Sequence, residues 1–205
     1  MAEESNVHVK VAMAEVLGCF LIATVAILIA MFGLKVTDDL GTIVALAPWI
    51  GWGLLVCTVV AYVNENLLLT AIFGPLAVFL LAFPDIAIAA LAGVGGLLPA
   101  AGGTPGAVIV GFIGVALLVD AIVSMMQPIR ILSILLFVAA IAFFVMAVWW
   151  NDLGTLTTSD LRVVLGFVWF LVAALAAYIG AAVAIFVVKG APLLPLFISK
   201  APAKA

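Results

Sequence analysis

Six apolar tracts, each about 20 residues long, constrain the fold of this 205-residue chain more than any other feature. An α-helix needs about 20 apolar residues to cross a bilayer, and short polar or proline-containing segments separate the tracts. The chain is 69% hydrophobic and only 8% charged, which excludes an ordinary soluble domain. The tracts run over Met13 to Leu34, Thr42 to Tyr62, Leu67 to Phe83, Ala107 to Met126, Ile131 to Trp150 and Val163 to Val188. We therefore predict an all-α polytopic membrane protein, a bundle of six transmembrane helices.

The six tracts form one transmembrane domain, residues 13–188, between an N-terminal segment, residues 1–12, and a C-terminal tail, residues 189–205. The first tract is longer than a signal-peptide core and no small-residue cleavage site precedes Lys35, so we expect it to be retained. Of the lysines and arginines, only Lys35 and Arg162 fall on the side opposite the termini. The positive-inside rule then places both termini in the cytoplasm and suits a prokaryotic inner (plasma) membrane.

The segment from Ile86 to Ala100 is apolar but shorter than the six tracts and rich in glycine. Three arrangements of this segment stay open. It continues the third helix past a kink at Pro84, lies in the membrane interface, or re-enters the membrane beside other protein.

Side chains suited to catalysis or metal binding are scarce. The sequence has one histidine, His8, and two cysteines inside apolar tracts, Cys19 and Cys57, with neither paired carboxylates nor a phosphate-binding glycine motif. We therefore predict no enzymatic activity, no metal and no cofactor. The absence of a basic run argues against nucleic acid as a partner. Transport and membrane assembly remain as functions.

A polar interruption, residues 62–66, separates the second and third tracts. A chain with so few polar groups usually keeps them within the membrane for a function. Here Asn64 and Asn66 flank Glu65 where the third helix begins, and the free backbone N–H groups of a helix start attract anions. One interpretation is a weak anion-attracting site at this helix start, and the other is an ordinary capped loop.

A second carboxylate, Asp120, lies inside the fourth tract, with Ser124 and Gln127 further along the same helical face. A charge in the hydrocarbon is costly and usually faces a cavity or a partner. The stripe either lines an aqueous vestibule, or Asp120 forms an ion pair with Arg130 across the turn. Glu15, by contrast, is interpreted as a helix-start carboxylate stabilised by the helix dipole.

The junction of the second and third tracts resembles that of the small six-span acetate/succinate transporter family of microbes. Tyr62, Asn66, Thr70 and Phe73 are similar to the aromatic, asparagine, threonine and aromatic positions of that junction. The resemblance extends over roughly Met13 to Val188.

Other segments add to this resemblance. In the sixth tract, the segment from Gly166 to Phe170 and the step that ends at Tyr178 are similar to that family, and in the first tract so is the pair Leu17-Gly18. A weaker resemblance links residues 69–75, Leu-Thr-Ala-Ile-Phe-Gly-Pro, to acid-gated urea and short-amide channels.

The resemblance implies a six-helix protomer with its own narrow pore, apolar and aromatic constrictions, and assembly as a homo-hexamer. It implies a channel or transporter for a small monocarboxylate such as acetate, passive or proton-linked. A urea or ammonia channel and a non-transporting structural subunit of a larger assembly remain as alternatives. We expect Glu65 and Asp120 to be proton-sensitive or gating groups. The residues expected near the path are Tyr62, Asn66, Thr70, Phe73 and Tyr178.

Overall fold

The computed structural model describes residues 14–94, 103–126, 130–151, 160–189 and 194–195. Most residues in these ranges belong to six helices, and each of the six contains a segment long and apolar enough to cross a membrane. The helices are α1 (Ala14–Gly33), α2 (Leu40–Val63), α3 (Leu67–Val94), α4 (Gly103–Ser124), α5 (Arg130–Asn151) and α6 (Asp160–Lys189). The prediction of an all-α bundle of six transmembrane helices is confirmed.

The helix limits differ from the predicted tracts mainly around the glycine-rich segment. α3 runs through Pro84 to Val94, so residues 86–94 prolong the third helix, which is the first of the three arrangements. α4 begins at Gly103 rather than at Ala107. The predicted N-terminal segment and most of the predicted tail lie outside the described residues.

The six helices form a closed ring in the order of the sequence. α1 packs most extensively on α6, α2 on α3, and α4 on α5, while contacts between α1 and α2, α3 and α4, and α5 and α6 complete the ring. Successive helices run in opposite directions. We call the end of the ring at which α1 begins the near end, and the end at which α1 finishes the far end.

A pair of glycines brings α1 and α6 unusually close together. A Cβ atom on Gly33 would lie 2.4 Å from the Cα of Gly166, and a Cβ on Gly166 would lie 2.5 Å from the backbone nitrogen of Leu34. Small residues let transmembrane backbones approach until they touch. The seam between the first and last helices therefore depends on two residues without side chains.

Replacing Gly33 with alanine is expected to lower the free energy of unfolding by about 2 kcal/mol, because the new methyl group meets backbone that cannot rotate away. A matched control is Gly74→Ala in α3, where a Cβ would meet only Thr58 Cγ2 at 3.5 Å, an ordinary contact. Unfolding of both variants in mixed detergent with rising sodium dodecyl sulfate, followed by circular dichroism, measures the difference. Equal midpoints for the two variants would contradict the tight seam.

At the far end a buried arginine joins the same two helices. The Arg162 side chain at the start of α6 donates from Nε to the carbonyl oxygen of Phe32 at 2.9 Å. Its Nη2 donates to the Thr37 carbonyl at 3.2 Å and to Asp38 Oδ1 at 2.6 Å. The guanidinium carbon lies 4.1 Å from the centroid of the Phe32 ring, within cation–π range. The sequence analysis used Arg162 only as a positive charge outside the predicted spans. In the structure it caps the last turn of α1 and binds the loop that follows α1.

Candidate functional site

An internal apolar cavity of about 50 Å³ lies inside the ring and is lined by all six helices. Its wall on α3 extends from Leu69 to Leu80, about 16 Å at 1.5 Å per residue. Every lining residue is apolar. One lining residue from each helix in turn is Cys19, Leu54, Phe73, Leu117, Phe143 and Trp169.

Polar groups gather just outside the near end of this cavity. The Asn66 side chain caps α3, accepting from the Leu69 N–H at 3.3 Å, and its amide donates to Glu15 Oε1 at 3.4 Å. The Thr70 hydroxyl donates to the Asn66 carbonyl at 3.0 Å. Leu69, which lines the cavity, lies three residues after Asn66 in the first turn of α3. The polar interruption is thus a capped helix start, and it also contacts α1 through Glu15.

The carboxylate that meets Asn66 is therefore Glu15, which the sequence suggested only as a helix-start charge. The two residues are 51 positions apart, and no spacing or motif in the chain connects them. Their pairing follows from the packing of the ring, which brings the starts of α1 and α3 together.

Phe73 lies where the polar cluster gives way to the cavity. Its side chain is only 1% exposed and lines the cavity. Three atoms of its ring lie 2.4 to 2.9 Å from where a Cβ on Gly18 would stand, so the ring rests against the bare backbone of α1. Gly18 belongs to the Leu17-Gly18 pair that resembles the transporter family, and the contact with Phe73 is a physical reason for a glycine there.

The structure places three other predicted site residues away from the cavity. The Tyr62 side chain is 66% exposed on the outside of α2. Glu65 is exposed in the turn with a φ of 58°, and its backbone N–H donates to the Tyr62 carbonyl at 3.0 Å. The Tyr178 hydroxyl donates to the carbonyl of Pro195 in the tail at 3.0 Å. None of the three lines the cavity, and Thr70 does not line it either.

In the described part of the proposed polar stripe on α4, Ser124 does not face water as the vestibule interpretation requires. Ser124 is buried, and its hydroxyl contacts the carbonyl of Ala121 at 2.7 Å and the hydroxyl of Ser133 on α5 at 2.8 Å. Gln127 lies outside the described residues. Ser124 therefore joins α4 to α5 and does not face water with Asp120.

The alternative interpretation of Asp120, an ion pair with Arg130, is not what the structure shows. The Arg130 guanidinium donates to the carbonyl of Met125 at 2.6 Å, and the described residues contain no ion pair between Arg130 and Asp120. Asp120 is half-buried beside the exposed Val119 and does not line the cavity. A role in proton sensing would therefore act from outside the cavity.

Aromatic side chains occupy the interior of the six-helix bundle between the cavity and the far end. They meet edge to face, with centroid separations from 5.2 Å for Phe143 and Trp169 to 6.0 Å for Trp149 and Trp150. Such geometry is favourable because the positive edge of one ring meets the negative face of the next. We call this set the aromatic cluster; in order from the cavity it contains Trp169, Phe143, Phe79, Phe83, Trp150, Trp149 and Phe32.

The comparisons with known proteins give matches in structure but none in sequence. No protein-family model matches the sequence, and no curated protein matches it. A solved structure of the bacterial acetate channel SatP superposes with a TM-score of 0.77 at 20% sequence identity, covering 92% of this chain and 99% of that chain. The predicted resemblance to the acetate transporters therefore holds for the fold. The chain is a multi-pass membrane protein with the fold of a bacterial acetate channel.

Proposed function

We propose that this chain is a membrane channel or transporter for a small monocarboxylate such as acetate, passive or proton-linked. The observation that carries this proposal is the apolar cavity inside a ring of six helices from one chain. The fold shared with the acetate channel SatP supports it.

The path begins, in this proposal, at the near end. A solute first meets the polar cluster of Glu15, Asn66 and Thr70, then passes Phe73 where its ring rests on Gly18, and so enters the cavity. Polar groups at the mouth suit a solute that arrives hydrated, and apolar walls beyond them select for one that gives up its water readily.

Glu15 takes the proton-sensitive role in this proposal. It is the carboxylate bonded to Asn66 at the near end, whereas neither Glu65 nor Asp120 lines the cavity. A change in the charge of Glu15 would alter the bond that joins the starts of α1 and α3.

The chemistry of the cavity favours a carboxylic acid over urea. Urea carries two amino groups and a carbonyl, and burying unpaired polar groups among apolar side chains is costly. A short acid in its neutral form has one hydroxyl, one carbonyl and an apolar end, so fewer hydrogen bonds are lost on entry.

The membrane location and the oligomeric state of the protein are predictions that rest on the same resemblance. We propose that the near end faces the cytoplasm of a prokaryotic cell, with both termini on that side of the inner membrane, and that six copies assemble. Large apolar side chains exposed on the outer surface, such as Trp49 on α2 and Phe112 on α4, suit contact with lipid or with other copies.

Uptake of labelled acetate into proteoliposomes tests the proposal. We expect the initial rate down an acetate gradient to exceed that of protein-free vesicles of the same lipid, at acidic pH most strongly. Rates equal to those of protein-free vesicles at acidic and neutral pH would contradict it. Labelled urea in the same vesicles separates the alternatives, since urea uptake without acetate uptake identifies a urea channel.

A further inference from the structure

The far end of the ring already contains a bound carboxylate, which is the side chain of Asp38. Its Oδ1 atom accepts a hydrogen bond from Nη2 of Arg162 at 2.6 Å. The Arg162 side chain is only 3% exposed, whereas the Asp38 side chain is 85% exposed. The Nη2 group therefore donates from the protein interior to an anion that lies at the surface.

The Asp38 carboxylate is the exchangeable part of this arrangement. The other described hydrogen bonds of the guanidinium go to the backbone carbonyl groups of Phe32 and Thr37, which belong to the end of α1 and to the loop that follows. An ion pair with an exposed partner contributes little to stability, because water and dissolved ions screen it. A dissolved anion can therefore replace Asp38 without breaking the bonds that hold Arg162 in place.

The anion that fits this place best is a short-chain carboxylate. An aspartate side chain is a –CH2–COO⁻ group, which is an acetate group attached to the backbone. Arginine keeps its positive charge at all ordinary pH values, and its planar fork of donors matches the two oxygens of a carboxylate. A free acetate ion thus presents to Arg162 the same group that the structure shows bound there.

This place lies next to the aromatic cluster that separates the cavity from the far end. The guanidinium carbon of Arg162 lies 4.1 Å from the centroid of the Phe32 ring. The Phe32 ring in turn meets Trp149 edge to face, with 5.9 Å between the ring centroids. An anion held by Arg162 therefore lies at the border between the water of the far end and the interior of the bundle.

We propose that Arg162 binds the carboxylate of the transported acid at the far end, in the place that the Asp38 side chain occupies in the structure. This inference rests on the proposed transport function and adds to it a binding site outside the cavity. The species bound is the anion, because hydrogen bonds between two charged groups are the strong ones. Asp38 acts as an internal competitor that fills the site when no solute is present.

The two arginines of the chain, Arg130 and Arg162, give two Nε–H resonances in 15N-labelled protein, and the Arg130→Lys variant assigns them. In detergent at neutral pH, sodium acetate is expected to move the Arg162 resonance until the shift saturates and to leave the Arg130 resonance in place. Sodium chloride at the same ionic strength is expected to move neither. Equal movement of both resonances, or an equal shift with chloride, would overturn the proposal.

The matched pair of variants is Asp38→Asn and Asp39→Asn. Both remove one negative charge from an exposed side chain at the far end, but in the described part of the chain only Asp38 is paired with Arg162. Asparagine caps a helix as well as aspartate does, so α2 keeps its cap in the second variant. We expect Asp38→Asn to lower the acetate concentration that half-saturates the Arg162 shift about threefold, because the competitor is weakened. Asp39→Asn is expected to leave that concentration at the wild-type value, and equal effects of the two variants would overturn the proposal.

Acetate uptake by proteoliposomes separates this inference from the proposed function. An unmoved Arg162 resonance in protein whose vesicles take up acetate overturns this inference alone. Absence of acetate uptake by the wild type overturns the proposed function, whatever the resonances do.

Discussion

Replacing Phe73 with alanine is expected to raise the initial rate of acetate uptake about tenfold, equivalent to removing about 1.4 kcal/mol from the barrier. Phe73 is the aromatic ring at which the polar near end meets the cavity, and it rests against α1 at Gly18. Without the ring, the cavity opens directly toward Glu15 and Asn66. Uptake into proteoliposomes, normalised to the amount of protein inserted, measures the change.

A second variant changes the position of the Phe73 side chain by a substitution on α1. Gly18→Ala places a methyl group 2.4 to 2.9 Å from three atoms of the Phe73 ring, so the ring must move away from α1 and into the cavity. We expect this variant to slow uptake. Since Phe73→Ala also removes core packing, at a cost of about 3–5 kcal/mol, Phe73→Leu is a milder test of the same opening. If both Phe73 variants fold and transport at the wild-type rate, the ring does not limit passage.

Replacing Arg162 with methionine is expected to lower the free energy of unfolding by about 3 kcal/mol. Methionine fills much of the space but donates nothing, so the carbonyl groups of Phe32 and Thr37 each lose a charged donor. The cation–π contact with the Phe32 ring is lost as well. Unfolding in mixed detergent gives the difference from the wild type.

The control for this variant is Asp38→Asn. The Asp38 side chain is 85% exposed, and exposed ion pairs contribute about 0–1 kcal/mol, so we expect only a small change. A loss for Asp38→Asn as large as that for Arg162→Met would mean that the ion pair, rather than the capping of α1, holds this end together.

The spans could be predicted from the sequence because a membrane helix is a local property. Length and hydropathy of a tract decide whether it crosses, and the six tracts match α1 to α6 to within a few residues except at α3 and α4. At α3 the proline at residue 84 suggested a break. A membrane helix tolerates proline where neighbours satisfy the freed backbone groups, and α3 continues to Val94.

The site was less predictable because it depends on helix rotation and on distant contacts. α2 is apolar on all sides, so its sequence does not show which face turns inward, and Tyr62 proves to face outward. Phe73 could be identified through a local motif. Glu15 lies beside Asn66 only because the starts of α1 and α3 meet in the folded protein. Trp169 lines the cavity only because all six helices surround it.

The seam between α1 and α6 also bears on how the protein is made. During synthesis α1 leaves the ribosome first and α6 last. Until α6 is made, α1 therefore lacks the helix on which it packs most extensively. Until Gly166 and Arg162 arrive, the bare backbone at Gly33 and the last turn of α1 have no partner on that side. We expect a shortened chain that ends before α6 to leave the cavity without the wall that α6 supplies. The final helix both completes this wall and packs on the first helix, so the ring of helices closes only when α6 is present.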